Sequence, residues 1–157
     1  KNGQLADIGN VNEIIYEQAQ DLYTNRIDKN KASYDTSDFD LSFARGLSLE
    51  DGAATITNFT GSIIANSLMK SEKENSFNKV LICGGGRKNK ILLNTIKKNI
   101  SKKIEIELID NYQINGDFVE SQAFGYLAVR SFKKLPITFP NTTNCKIPSV
   151  GGEIIGD

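Results

Sequence analysis

The sequence predicts an α/β fold in which strands and helices alternate. Val80, Leu81 and Ile82 form a short apolar run, Gly84, Gly85 and Gly86 follow it, and Asn89 to Ile100 has helical spacing. Lys102 to Asp110 then alternates, with Ile104, Ile106 and Leu108 against Glu105 and Glu107, as a half-buried strand does. A further helix follows Gly116, with Ala123, Phe124, Leu127 and Ala128 on the face expected to be buried. Strand, helix, strand, helix in that order argues for at least two neighbouring parallel strands.

Taken in order, Gly3 and Gly9 predict a turn and a tight approach over residues 1–10. Val11, Ile14, Ile15 and Leu22 fall on one helical face, with Asn10 or Asn12 as cap, and the helix gives way to a polar, basic loop between Tyr23 and Lys31. Residues 32–40 are rich in turn formers. Ser48 and Asp51 have the spacing of a helix start, and Ile56, Phe59, Ile63, Ile64 and Leu68 continue as a long stripe. Gly52 and Gly61 each weaken that helix by about 1 kcal/mol relative to Ala. Ser71 to Asn78 reads as a polar linker. The tail holds all three prolines and the Gly151-Gly152 pair, and reads as loops with a short final strand at Glu153–Ile155.

At 157 residues the chain is one domain by length, with 39% hydrophobic and 24% charged residues. Lys+Arg and Asp+Glu are both 19, so charge gives no reason to expect nucleic acid or an anionic membrane as partner. No apolar run approaches the length of a membrane span, and no signal peptide is expected at the start. Cys83 and Cys145 are too few for a disulfide framework and lack metal-ligand spacing; Cys83 reads as a small buried hydrophobe. The absence of any His excludes Ser-His and Cys-His hydrolases and His metal sites.

The glycine run has two readings. Bare backbone between a strand and a helix suits a nucleotide, and it also suits a tight turn closed by an Asn cap. Gly84 and Gly86 meet the first two positions of a dinucleotide fingerprint, but Asn89 stands where the third glycine belongs, which discounts a dehydrogenase domain. Asp110, about 20 residues further on, is where a ribose-binding acid sits in such folds. Asp117 and Glu120 have capping-box spacing, which accounts for both carboxylates; alternatively Glu120 faces a cleft and accepts hydrogen bonds from a polyhydroxy ligand. Arg87 and Lys88 are long enough to reach phosphates, yet with Lys90, Lys97, Lys98, Lys102 and Lys103 they read as a solvated surface, without aromatics to stack bases. No P-loop is present.

Several separated segments resemble the anhydro-N-acetylmuramic acid kinase family. They are Asp51-Gly52-Ala53-Ala54-Thr55, then Leu81 to Gly86 with Asn89, and the run from Gly116 to Ala128. The tail adds Leu135-Pro136, Pro140-Asn141-Thr142-Thr143 and Gly151-Gly152, and the front adds Asn2-Gly3 and Gly9-Asn10-Val11-Asn12. The resemblance runs over nearly the whole chain. It implies the C-terminal lobe of an actin-like, hexokinase-like (ribonuclease H-like) ATPase domain, a mixed sheet with flanking helices, spanning residues 1–157 with the other lobe absent. It further implies a cytoplasmic bacterial sugar kinase of peptidoglycan recycling. That kinase opens the 1,6-anhydro ring of its amino sugar and phosphorylates the 6-oxygen, using ATP and Mg²⁺.

By the same resemblance Gly84, Gly85, Gly86 and Asn89 are nucleotide-binding and Glu120 faces the amino sugar. No metal ligand and no catalytic residue falls in this chain. The expected aspartate base belongs to an Asp-x-Gly-Pro-x-Asn segment which, like the phosphate-binding Ser-Gly-Thr-Ser segment, has no counterpart here. The chain therefore reads as an inactive fragment that begins within a turn, and full-length relatives are expected to be homodimers. The family's Lys-Ser-x-Asp-Arg stretch appears as Ala32-Ser33-Tyr34-Asp35-Thr36, without either cation. The alternative from another class is a non-catalytic nucleotide-binding or regulatory module of the actin-like fold.

Overall fold

The structure, a computed structural model, describes residues 2–26, 36–153 and 155. The departure from the family at 32–35 lies outside the described residues, as does Ile154 of the expected final strand; Glu153 and Ile155 carry no strand.

Where a turn is expected at the front, a short helix α1 (Gln4–Ile8) forms between Gly3 and Gly9. Both glycines are contact points. A Cβ on Gly3 would overlap the Asn89 amide, and one on Gly9 would overlap the backbone carbonyl of Glu50. The opening segment is fastened there by Asn10 N–H donating to Asp51 Oδ1 (2.8 Å) and Asn12 N–H donating to Thr55 Oγ1 (3.0 Å). Thr55 is fully buried.

Helix α2 (Glu13–Arg26) is capped by Asn12, whose Oδ1 accepts from the N–H of Ile15 at 3.1 Å. Its inward side differs from the predicted stripe. Ala19 is buried with Tyr16 and Tyr23 alongside, whereas Ile14 and Leu22 are exposed. Aromatic packing decides the facing. Phe59 meets Tyr23 edge-on at 5.8 Å and Phe43 at 5.0 Å, and Tyr23 stacks on Phe39.

Helix α3 (Leu49–Asn75) starts as predicted, with Ser48 Oγ accepting from Asp51 N–H at 3.1 Å. It absorbs most of the expected linker, because Ser71 to Asn75 contains the good helix formers Glu72, Lys73 and Glu74, and it ends at Ser76 with φ 53°. Strand β1 (Lys79–Ile82) follows, then α4 (Lys90–Asn99) and β2 (Glu105–Leu108). The strands are parallel, pairing Lys79 with Glu105 through to Ile82 with Leu108. The predicted parallel pair is therefore present, and the described strands are parallel only. Lys79 bridges the edge, bonding Glu107 and the Tyr112 hydroxyl, which holds the Glu107 carboxyl below its ordinary value.

Helix α5 (Val119–Phe132) corrects a prediction, since none of its residues is buried and Phe124 is 64% exposed. The expected face exists, but the described residues do not cover it. Cys83, expected to be buried, is exposed just beyond the end of β1. A last short helix, α6 (Pro140–Thr143), sits in the tail, which is closed by an antiparallel bridge between Thr138 and Ser149. No described helix is long and apolar enough to cross a membrane.

Gly61 of α3 sets how closely α4 approaches. A Cβ there would stand 2.7 Å from Thr95 Cγ2 and 2.8 Å from Thr95 Cβ, both on a stiff β-branched side chain. Gly61→Ala should therefore destabilise the fold by about 1–3 kcal/mol despite Ala's better helix propensity. Urea denaturation measures it, and a stabilised variant would refute the close approach.

Candidate functional site

The C-terminal ends of parallel strands are where α/β sheets present backbone to ligands, and β1 and β2 share that edge. Beyond β1, Gly84 adopts φ 76°, a left-handed-side conformation that favours glycine, and Gly85–Lys88 forms one 3₁₀ turn. Asn89 then caps α4, its Oδ1 accepting from Leu92 N–H at 3.1 Å.

Gly85 is unlike its neighbours. Its φ is not positive, and a Cβ placed on it would meet nothing within 4 Å. Gly84 has the same open space above it, whereas Gly86 lies in ordinary contact with Leu92. Gly85 and Gly86 donate no backbone hydrogen bond beyond the turn itself. Neither packing nor dihedral angle accounts for glycine at 85.

The turn is pinned to the start of α5. Gly84 N–H donates to the Gly116 carbonyl at 2.8 Å. Arg87, only 8% exposed, reaches beneath the turn and donates from Nη1 to the Gly84 carbonyl at 2.9 Å. It donates to Asp110 through Nε (2.8 Å) and Nη2 (3.1 Å), a bidentate pair, and through Nη1 to Asp117 at 2.6 Å. Lys88 adds a bond to the other Asp117 oxygen at 2.7 Å. Gly116 is glycine because the guanidinium passes over it: a Cβ would stand 2.5 Å from Arg87 Nε.

Three sequence readings change here. Arg87 is a buried link, not surface and not a free phosphate ligand. Asp110, the position of a ribose acid, is spent on Arg87. The capping box is absent, because Phe118 occupies the cap position without a side-chain bond and Asp117 turns to Arg87 and Lys88. Glu120, in the first turn of α5, is exposed and has no side-chain partner among the described residues. Of the predicted site residues, Gly84, Gly85, Gly86 and Asn89 form one continuous turn, and the Gly84–Gly116 bond brings Glu120's helix to it. The Arg87–Asp110–Asp117 link was missed. Its sequence signal is a long cation just past one parallel strand and a carboxylate just past the next, at the same sheet edge.

A cavity of about 300 Å³ lies elsewhere, between α2 and α3 and lined by Tyr23, Phe39, Phe43 and Phe59. It is part of the aromatic core and lies away from the glycine turn.

Arg87 and Lys88 hold the Asp117 carboxyl well below the usual carboxylate range, and Arg87 does the same to Asp110. Both groups titrate lower when folded than unfolded. Their stabilisation is complete above about pH 4 and is lost as pH falls from there through the lowered values. Stability measured by denaturant between pH 5 and pH 2 should fall more steeply for the wild type than for Arg87→Met, and parallel curves would contradict the link.

Fold and site together define an α/β protein with an open glycine turn beyond the C-terminal end of a parallel strand. The family model for anhydro-N-acetylmuramic acid kinase matches residues 1–156. Similar relatives carry that same name. One from Pelagibacter ubique is 47% identical over 157 residues, covering 99% of this chain and 42% of the relative. One from Caulobacter vibrioides is 35% identical over 99% of this chain and 41% of its own length, and one from Zymomonas mobilis is 39% identical over 78% and 32%. The chain belongs to the anhydro-N-acetylmuramic acid kinase family, and it spans about two fifths of the length of the first of these relatives.

Proposed function

We propose that this chain is the C-terminal lobe of an ATP-dependent kinase of the actin-like superfamily. The whole protein opens the 1,6-anhydro ring of 1,6-anhydro-N-acetylmuramic acid and phosphorylates O6, in cytoplasmic recycling of peptidoglycan. The unfinished sheet supports the lobe reading. Parallel sheets are normally covered on both faces, yet Leu81 of β1 is 42% exposed and α5 buries nothing. Further strands and helices from the rest of such a protein would complete both.

The observation that carries the site reading is the joining of the glycine turn to the α5 start at Gly84 and Gly116, with Glu120 unengaged beside it. The adenosine side of ATP lies over Gly84, Gly85 and Gly86, where no side chain intervenes, and Asn89 fixes the helix next to it. Glu120 accepts hydrogen bonds from the hydroxyl or amide groups of the sugar. Positioning of this kind is the larger part of phosphoryl-transfer catalysis. Asp110 and Asp117 serve Arg87 and Lys88, and among the described residues no group of three or more Asp, Glu or Cys could hold a metal. The base and the phosphate contacts fall to the other part of the kinase.

Glu120→Ala tests this reading in a protein of the relatives' full length. Since Glu120 has no side-chain partner among the described residues, the unfolding midpoint should move little while turnover of the anhydrosugar falls at least about 100-fold. Unchanged turnover would remove Glu120 from the sugar site.

A further inference from the structure

We propose that Arg87 is a positioning residue that holds the nucleotide turn and the sugar-side helix in a fixed relation, with Asp110 and Asp117 as its two separate anchors. The inference rests on the site assignment above and adds the part that joins its two halves. Arg87 is nearly buried and uses its guanidinium on three elements at once: the Gly84 carbonyl in the turn, Asp110 beyond β2, and Asp117 before α5. A planar guanidinium with a fixed fork of donors transmits geometry as a single ammonium does not.

The anchors divide the labour. Asp110 takes both Nε and Nη2, and its Oδ1 also accepts from Gly116 N–H at 3.3 Å, so it holds Arg87 under the glycine turn. Asp117 takes Nη1 and Lys88 and stands three residues before Glu120, so it ties the α5 start to that turn. Removing the Asp117 charge leaves Arg87 paired with Asp110 and the turn intact. It loosens only the Asp117 tie to the sugar-side helix, with the Gly84–Gly116 and Asp110–Gly116 bonds left in place. A displacement of about 1 Å in a reacting partner is enough to cost about 100-fold in rate.

The experiment compares Asp117→Asn, Arg87→Met, Arg87→Lys and the double variant Arg87→Met/Asp117→Asn in the full-length kinase. Readouts are the KM for ATP, the KM for the anhydrosugar, kcat and the unfolding midpoint. Asp117→Asn should reduce kcat over sugar KM by about 10- to 100-fold with ATP KM within about twofold. Arg87→Met should damage both substrates, Arg87→Lys should restore little, and the double variant should be no worse than Arg87→Met, because the residues act through one link. Equal effects of Asp117→Asn on both KM values, tracking the loss of stability, would reduce the link to a fold support and overturn the proposal. So would additive effects in the double variant. Glu120→Ala run alongside separates the two failures. If it abolishes turnover while Asp117→Asn changes nothing, the link fails and the site assignment stands. If it leaves turnover intact, the site assignment itself fails.

Discussion

The local structure beyond the C-terminal ends of β1 and β2 depends on one guanidinium. Arg87 is taken out of solvent and is held by two carboxylates and a backbone carbonyl. A cation in that position is tolerable only when its partners remain, since removing one strands a nearly buried charge. Its reach explains several neighbours at once. Gly116 has no side chain because the guanidinium lies against it. Asp117 does not cap α5 because it faces Arg87. The glycine turn is held from below by the chain itself, which leaves its upper side open.

That arrangement divides the three glycines by cause. Gly84 answers to its dihedral angle and Gly116 to its neighbour, but Gly85 answers to nothing among the described residues. A residue kept bare without an internal reason is what a close-approaching ligand requires. Glu120, beside that turn, has no side-chain partner among the described residues. The incomplete sheet and the uncovered α5 fit a chain that spans two fifths of its relatives' length.

Much of the fold was legible because periodicity is local. The parallel pair, the Ser48 and Asn89 caps and the helix from Leu49 were all carried by a few adjacent residues. Readings that failed depended on distant partners. Val119–Phe132 has an apolar face in sequence, but a face is buried only if another element covers it. Ile14 and Leu22 lost the inward side of α2 to Ala19 and Tyr23, which meet aromatics from residues 39–59. The capping box at Asp117 lost to Arg87, 30 residues away, whose charge outcompetes a backbone amide. Spacing was therefore a sound guide to elements and a poor one to side-chain partners at the site.

The proposed nucleotide contact at the glycine turn requires Gly85 to stay bare. It is tested most directly by Gly85→Val in a protein of the relatives' full length, reading ATP KM and stability together. With nothing within 4 Å of a Cβ at this position and no positive φ to violate, the unfolding free energy should change by less than about 1 kcal/mol. The KM for ATP should rise at least about tenfold. An unchanged KM for ATP in a stable, folded variant would contradict the account.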